Sequence, residues 1–375
     1  MKPLKVMTII GTRPEIIRLS KVIRTFDDYF THILVHTGQN WDYTLNEIFF
    51  KELNLRPVDY YLNCVGENLG KTIGNIISYS YDLLQKVKPD ALLILGDTNS
   101  ALSSISAKRL KIPIFHMEAG NRCFDQNVPE EINRKIVDHI SDVNLPYTEH
   151  SRRYLLSEGF PKEYIFVTGS PMPEVLNDHL DAIRQSTVLN ELNLKPQEYI
   201  LVSAHREENI DNKKHFFLLM NALNAIAEKY QFPVIYSTHP RSQGFIDKYQ
   251  FKFHPLVKNL KPLSFINYNK LQQNAFCVLS DSGTLSEEAA ILGFNGILIR
   301  TSTERPEVLD KGNIVIGGIT KSSILQAIKF TKNIKKEGLS SPLPSDYQDC
   351  NVSYKVAKII QSYTPIINKN IWHKS

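Results

Sequence analysis

Short apolar runs alternate with longer stretches of helical periodicity along most of the chain. The runs are rich in β-branched residues and predict buried strands. They cover residues 6–10, 33–35, 91–95, 113–117, 143–145, 165–167, 199–203, 234–237, 276–279 and 296–299. Helical patterns include residues 70–87 and 130–140, with a last amphipathic helix over 352–363. Strands that alternate with helices are typical of parallel α/β structure.

This alternation starts twice, at Val6 and again at Tyr199. Residues 169–173 have turn composition and separate the two series. Because 375 residues exceed the usual size of one domain, we predict two: residues 1–170 with 353–375, and residues 171–352. Ligands of open α/β sheets bind beyond the carboxyl ends of strands. The predicted fold class is therefore α/β, with a parallel sheet in each domain. Two such sheets facing each other would place their strand ends on one cleft.

Composition and charge exclude several classes of protein. The formal net charge of +5 is spread along the chain without a basic block, so we expect no nucleic-acid partner. The four cysteines are far apart, which argues against a zinc site or a disulfide framework. The N-terminus does not resemble a signal peptide, and no apolar stretch approaches the ~20 residues of a membrane span. A cytoplasmic location without membrane insertion is expected.

Several common motifs are missing from the sequence. No GxGxxG follows the first strand, which removes the usual fingerprint of nicotinamide and flavin enzymes. The sequence also has no GxxxxGK[ST] phosphate loop, no HExxH and no cluster with metal-ligand spacing.

The first candidate motif, GTRPE, directly follows the first strand. Thr12 is placed to cap the next helix, and Arg13 would project near its N-terminus, where an anion is favoured. A capped helix in which Arg13 pairs with Glu15 explains the motif equally well.

Two acidic turns, LGDTNS and DSGTLSEE, follow apolar strands in the two halves. Ser282, Gly283 and Thr284 would offer backbone N–H groups to a diphosphate, and Glu288 could accept from ribose hydroxyls. The alternative is an ordinary glycine turn whose acids complement the helix dipole.

The motif HMEAGNR places Glu118 at the end of a buried strand. A buried carboxylate is rare unless it is paired or functional, and we favour function over a Glu118–Arg122 ion pair.

The motif PEEINR starts a helix in which Glu130 and Arg134 share one face. A solvated Glu130–Arg134 pair is the simpler interpretation of this motif alone. Ile132, Ile136 and Val137 are expected to face a core.

Two further charged loops, AHREEN and TSTERPE, follow strands of the second half. His205 with Arg206 could contact phosphate, although a lone histidine is more often a packed or surface residue. Residues 300–307 fit a loop of paired charges, either functional or structural.

Taken together, these motifs resemble the non-hydrolysing UDP-N-acetylglucosamine 2-epimerase family. The resemblance covers about residues 5–320, with the motifs in the family's order: GTRPE, LGDT, HMEAGNR, PEEINR, AHREEN, DSGTLSEEA and TERPE. It implies a glycosyltransferase-B-like fold of two Rossmann-like domains facing a central cleft, a UDP-N-acetylamino sugar as substrate, homodimers, and no cofactor or required metal.

The resemblance also implies roles for individual residues. Catalytic positions are matched by Asp97, Glu118, Glu130 and His205. Substrate-binding positions are matched by Arg13, Arg18, Arg134, Tyr268, Ser282, Gly283, Thr284 and Glu288. Two of these positions hold a residue that is unusual for the family. Arg18 occupies a position where lysine is usual, and Thr284 one where many relatives have glycine. The arginine keeps the charge but changes the hydrogen-bond geometry.

Residues 121–131 are similar to enzymes acting on UDP-2-acetamido-2,6-dideoxy-β-L-talose, which form UDP-N-acetyl-L-fucosamine for capsule or O-antigen. UDP-N-acetylglucosamine/UDP-N-acetylmannosamine epimerisation and a glycosyltransferase are the alternatives. A further departure, Asn40-Trp41 where many relatives have His-Arg, argues against regulation by a second UDP-sugar.

Overall fold

The first half of the chain forms a six-stranded parallel sheet. A computed structural model describes residues 2–38, 43–338 and 341–374. Contacts group residues 1–177 with 348–375 as one unit. Its strands are β1 (Lys5–Ile10), β2 (Thr31–His36), β3 (Tyr60–Tyr61), β4 (Ala91–Leu95), β5 (Ile114–Met117) and β6 (Val143–Leu145). Its helices are α1 (Arg13–Tyr29), α2 (Tyr43–Glu52), α3 (Leu69–Val87), α4 (Ser104–Arg109), α5 (Pro129–Ile140), α6 (Glu149–Ser157) and α16 (Val352–Asn370).

Helix α7 (Met172–Gln185) carries the chain from this unit into the second, residues 178–347. The strands of the second unit are β7 (Ile200–Ser203), β8 (Val234–Ser237), β9 (Val257–Leu260), β10 (Cys277–Ser280), β11 (Gly296–Leu298) and β12 (Ile314–Ile316). Its helices are α8 (Val188–Glu191), α9 (Glu207–Ile210), α10 (Lys213–Tyr230), α11 (Pro240–Tyr249), α12 (Phe265–Asn274), α13 (Thr284–Leu292), α14 (Pro306–Asp310) and α15 (Lys321–Lys336).

Both sheets have the strand order of a doubly wound fold. The orders are β3-β2-β1-β4-β5-β6 and β12-β11-β10-β7-β8-β9, and every strand pair is parallel. In each sheet the order reverses between two central strands, β1 and β4 in one and β7 and β10 in the other. Ligands bind at such a switch point, beyond the carboxyl ends of the strands. The predicted class of two Rossmann-like units is confirmed.

The central strands are buried on both faces because helices cover both sides of each sheet. In β7, Ile200 and Val202 belong to one apolar cluster, whereas Leu201 between them belongs to the other. Strand β10 alternates in the same way, with Leu279 on the first side and Val278 on the second. This burial explains why these strands are continuous apolar runs rather than alternating patterns.

The strands that sequence analysis missed lie at sheet edges. Strands β3, β9 and β12 each pair on one side only, and their side chains are partly exposed, so they carry weaker apolar runs. The strand predicted over residues 165–167 is wrong. That segment makes one isolated bridge, from Ile165 to Asn144, instead of a ladder.

The predicted helices are present, with two differences. The last helix, α16, continues to Asn370 through Pro365, and it packs against α1 in the first unit. The expectation that α5 turns three apolar residues to a core holds for Val137 alone. Ile132 and Ile136 are exposed, because the buried face of α5 is polar.

Among the described residues, no helix is both long enough and apolar enough to cross a membrane.

Gly120, in the loop after β5, provides a test of this packing. It has φ +78°, and a Cβ there would clash with the backbone carbonyl of Ser151. We expect Gly120→Ala to cost about 3 kcal/mol or more, since left-handed strain and the clash add. Gly159 is the matched control, with φ +89° and open space around it. Gly159→Ala should cost about 1–2 kcal/mol. Urea unfolding followed by circular dichroism measures both, and equal losses would contradict the packing argument.

Candidate active site

Glu15 connects the loop after β1 with the turn after β4. It is buried, and its Oε2 accepts hydrogen bonds from the Gly11 N–H at 3.1 Å and the Thr12 hydroxyl at 2.7 Å. Its Oε1 accepts from the Ser100 hydroxyl at 2.5 Å. Two expectations are therefore wrong. Thr12 stands at the N-cap of α1, but its side chain bonds Glu15 rather than the backbone, and Glu15 does not pair with Arg13.

The two cations of α1 differ in their surroundings. Arg13, the first residue of the helix, is half-buried and its guanidinium lies 5.4 Å from the centre of the Phe49 ring. Arg18 is buried and forms an ion pair with Glu118, across the switch point. Arg18 thus reaches the carboxylate cluster itself.

Asp97 follows Gly96 in the turn after β4, and Arg134 of α5 holds it in place. Both Arg134 bonds end on the same oxygen: Nε donates to Asp97 Oδ2 at 3.0 Å, and Nη2 donates to it at 2.6 Å. The backbone carbonyl of Asp97 accepts from the Asn133 amide at 2.9 Å. The predicted Glu130–Arg134 surface pair is wrong, because Arg134 is buried and turned toward Asp97.

Glu118 has an unusual backbone for its type, with φ +66° directly after β5. Besides Arg18, its carboxylate accepts from the Asn121 amide at 3.3 Å. The alternative Glu118–Arg122 pair is wrong, since Arg122 donates to Asp138 at 2.7 Å and to Glu158 at 2.6 Å. A left-handed backbone at a non-glycine residue is a strained conformation that often marks a functional position.

The two adjacent acids of α5 have different environments. Glu130 is half-buried, whereas Glu131 is 1% exposed. Glu131 accepts from the backbone N–H groups of Cys123 and Phe124 at 3.1 and 3.2 Å, and from Arg134 Nη1 at 2.8 Å. The sequence did not show that Glu130 and Glu131 differ in burial and in hydrogen-bond partners.

The charges of Glu118 and Glu130 act on Asp97, which indicates that the three predicted carboxylates lie near one another. Burial raises the pKa of Asp97 above its ordinary value, and the neighbouring Arg134 lowers it. The negative charges of Glu118 and Glu130 then raise it further. The fold of the first unit therefore brings together Asp97, Glu118, Glu130, Arg18 and Arg134.

In the second unit, Asp281 joins the loop after β7 to the turn after β10. It is fully buried, and its carboxylate accepts from the backbone N–H groups of His205 and Arg206, both at 3.0 Å, and from the Asn209 amide at 3.0 Å. His205 Nδ1 lies 3.4 Å from Asp281 Oδ1. Asp281 thus fixes the position of His205, which is about 29% exposed.

The turn after β10 is short and closely packed. The Ser282 and Thr284 hydroxyls are 3.0 Å apart, and Thr284 begins helix α13. A Cβ at Gly283 would lie 2.7 Å from Glu304 Oε1, so a side chain there would have to displace the Glu304 carboxylate. Backbone N–H groups at the start of a helix can bind an anion, and the diphosphate role of this turn stays a prediction.

Gln272, which the sequence did not indicate, links Glu288 to α12, the helix that contains Tyr268. Glu288, in α13, is buried and its Oε2 accepts from the Gln272 amide at 2.6 Å. Gln272 lies one helical turn after the half-buried Tyr268 in α12, so both occupy one face of that helix. An aromatic ring and a carboxylate together suit a base and its ribose.

The loop over residues 300–307 is a network of charge pairs. Glu304 accepts from Arg300 at 2.7 Å and from Arg206 at 3.4 Å, and Arg305 lies 3.3 Å from Glu287. Arg305 and Glu304 are both buried. Through Arg206 this loop supports the His205 loop, and Glu304 lies against the turn at Gly283.

Comparison with known proteins places these features in a family. The family model of UDP-N-acetylglucosamine 2-epimerase matches residues 24–361. This protein belongs to that family. The family therefore confirms the predicted enzyme class, an isomerase of the non-hydrolysing epimerase kind.

Curated relatives include a UDP-N-acetylglucosamine 2-epimerase of Methanocaldococcus jannaschii. It is 35% identical over 350 residues, 89% of this chain and 93% of the relative. A UDP-2,3-diacetamido-2,3-dideoxy-D-glucuronate 2-epimerase of Pseudomonas aeruginosa is 33% identical over 89% of this chain and 95% of its own length.

Solved structures of the family are similar along the whole chain. A UDP-N-acetylglucosamine 2-epimerase of Rickettsia bellii has a TM-score of 0.91 and 47% identity, covering 99% of this chain and 100% of its own. The M. jannaschii enzyme in complex with UDP-GlcNAc and UDP has a TM-score of 0.90 and 33% identity, covering 96% and 99%.

Some residues of this candidate site were not found by sequence reasoning. Glu15, Glu131 and Asp281 were treated as helix-start or turn acids, although each is buried and holds a neighbouring loop in place through backbone N–H groups. His239, which follows β8, was not considered. Its ring centre lies 5.5 Å from that of His205. Asn40 and Trp41, the predicted departure from the family, lie outside the described residues.

Glu15 predicts a pH dependence of stability. Burial raises its pKa from 4.5 to about 7, so the folded state holds a proton that the unfolded chain has lost. The stability contribution of Glu15 therefore falls as pH rises above 4.5, and the fall is complete above about 7. The size of this loss is about 3 kcal/mol.

The variant Glu15→Gln should remove this dependence. Relative to Glu15→Gln, the wild-type protein should lose about 3 kcal/mol of unfolding free energy between about pH 5 and pH 8. Thermal and urea unfolding at several pH values measure the difference. Glu67→Gln, at an exposed acid of the same unit, is the control. A pH-independent difference between wild type and Glu15→Gln would show that Glu15 stays ionised.

Proposed function

We propose that this protein inverts C2 of a UDP-linked N-acetylamino sugar by elimination and re-addition of UDP. The observation that carries the proposal is the cluster of Asp97, Glu118 and Glu130 with the cations Arg18 and Arg134. Family membership supports the same reaction. A glycosyltransferase would need an acceptor and no proton transfer at C2, so the carboxylate cluster favours the epimerase.

The chemistry explains why several acids are needed. The hydrogen at C2 has no neighbouring ketone, so direct deprotonation is difficult. We propose that the C1–O bond breaks, UDP departs, and a carboxylate takes the C2 proton, which leaves a 2-acetamidoglycal. UDP oxygen then bonds to C1 again while a second acid delivers a proton to the opposite face of C2. Two faces require two proton-transfer groups.

Positive and polar groups would stabilise the departing UDP. We assign this role to Arg13, to His205 and to the turn of Ser282, Gly283 and Thr284. Negative charge develops on the diphosphate as the C1–O bond breaks, and fixed donors stabilise it without reorganising. Tyr268 is proposed to lie against uracil and Glu288 to accept from the ribose hydroxyls. The pairing of Glu288 with Gln272 supports a prearranged ribose site.

Two substrates are candidates. The similarity of residues 121–131 to the L-talose branch favours UDP-2-acetamido-2,6-dideoxy-β-L-talose, with UDP-N-acetyl-L-fucosamine as the product for capsule or O-antigen. The names of the relatives favour UDP-N-acetylglucosamine and UDP-N-acetylmannosamine. We propose the 6-deoxy sugar first and the second pair as the alternative.

Incubation of both UDP-sugars in deuterated water tests the reaction and the substrate together. We expect NMR to show deuterium at C2 with the UDP linkage intact and no acceptor present. The ratio of kcat/KM values between the two substrates identifies the natural one. Release of free sugar would indicate hydrolysis instead. No exchange with either substrate would contradict the proposal.

Substitution of the strand-end acid tests the catalytic cluster. We expect Glu118→Gln to lower turnover about 1000-fold or more, because one proton-transfer group is lost. UDP affinity, measured by calorimetry, should stay within about threefold, since none of the residues proposed to bind UDP is changed. Glu149→Gln, at an exposed acid of the same unit, is the matched control. Substantial turnover by Glu118→Gln would remove this residue from the catalytic set.

A further inference from the structure

We infer that Glu131 is a positioning residue for Asp97. By binding one nitrogen of the Arg134 guanidinium, Glu131 leaves the other two nitrogens for a single oxygen of Asp97, and so keeps the second Asp97 oxygen open for proton transfer. The inference rests on the proposed function of Asp97. Glu131 itself has its carboxylate among protein donors and does not belong to the reacting groups.

The geometry of Arg134 is the first step. A guanidinium commonly binds a carboxylate through two parallel bonds, one to each oxygen. Here Nε and Nη2 both donate to Oδ2 of Asp97, whereas Nη1 donates to Glu131 Oε2. Oδ1 of Asp97 takes neither of these two bonds. The arrangement therefore leaves Oδ1 of Asp97 outside these two bonds. A proton-transfer group requires an oxygen of this kind.

The second step is the rigidity of Glu131. Its carboxylate accepts from the Cys123 N–H at 3.1 Å, the Cys123 thiol at 3.3 Å and the Phe124 N–H at 3.2 Å. It is 1% exposed, so these donors replace water. Lys135 adds a longer charge contact at 3.8 Å. Glu131 is therefore fixed by the loop that leads from Glu118, and it fixes Arg134 in turn.

The third step is electrostatic. The charged groups that face Asp97 are Arg134 and Glu130 from α5 and Glu118 from the end of β5. Glu118 is itself paired with Arg18. Of these, the guanidinium lowers the pKa of Asp97, and the two acids raise it. Because Glu131 shares the Arg134 charge, its removal would let Arg134 act fully on Asp97.

The test compares Glu131→Gln with the wild-type protein. We expect kcat to fall about 10- to 100-fold, as for a small displacement of a reacting group, with KM changed less than about threefold. The titration of Asp97, followed by carbon NMR of the ligand-free protein, should shift to lower pH. The Asp97→Asn variant identifies the resonance. The acid limb of the kcat profile should move in the same direction.

Glu158→Gln is the matched control. Glu158 pairs with Arg122 at 2.6 and 2.7 Å in the same unit and makes no bond to Arg134 or Asp97. We expect it to alter stability and to leave both kcat and the Asp97 titration unchanged. Equal shifts in Glu131→Gln and Glu158→Gln would overturn the inference, as would an unchanged Asp97 titration in Glu131→Gln.

The variant Glu131→Asp separates the effect of the negative charge at this position from the effect of the side chain's shape. This variant keeps the charge that shares Arg134, and its Asp97 titration should lie between those of the wild type and Glu131→Gln. If Glu131→Gln does not fold, Glu131→Asp carries the test, and a wild-type titration would then overturn the inference. The NMR readout needs no substrate, so it decides the role of Glu131 even if no UDP-sugar is epimerised.

Discussion

Buried carboxylates that accept backbone N–H groups hold this structure's functional loops in place. A buried carboxylate is costly unless donors replace its water, and loops at the ends of parallel strands contain N–H groups without sheet partners. Glu15, Glu131 and Asp281 each satisfy both needs, and Asp138 does the same for the N–H of Gly120. Glu15 and Asp281 link segments that are distant in sequence, and Glu131 links the loop after β5 to α5, so these segments cannot shift separately.

The same principle separates supporting acids from reacting acids. Glu131 and Asp281 are at most 1% exposed and accept from backbone donors, whereas Glu118 keeps 9% exposure, Asp97 keeps 23% and Glu130 is half-buried. A group that exchanges a proton with a substrate needs an accessible oxygen, and a group that fixes a loop needs full burial. Adjacent residues in the motif PEEINR serve these two purposes because neighbouring positions of a helix point in different directions. The helix start thus provides both an acid proposed to react and a buried acid that supports the site.

Much of the fold was predictable because buried central strands are apolar on both faces and give continuous runs. Edge strands β3, β9 and β12 were missed because exposure removes that signal. At the candidate site, the motif order predicted Asp97, Glu118 and Glu130. Partners were harder to predict: Arg18 with Glu118, and Arg134 with Asp97, join residues far apart in the chain. Spacing within a motif suggested local pairs instead, and those pairs do not form.

The ratio of carboxylates to arginines in the cluster suits the proposed proton transfers at the two faces of the sugar carbon C2. Such chemistry needs one ionised acid to take a proton and one protonated acid to give it, at the same pH. Three carboxylates face two arginines, and one of these arginines is shared with Glu131. Burial raises the pKa of Asp97, the neighbouring Arg134 lowers it, and the negative charges of Glu118 and Glu130 raise it again. Asp97 therefore holds a proton more readily than an aspartate in water does, as a proton donor to C2 requires.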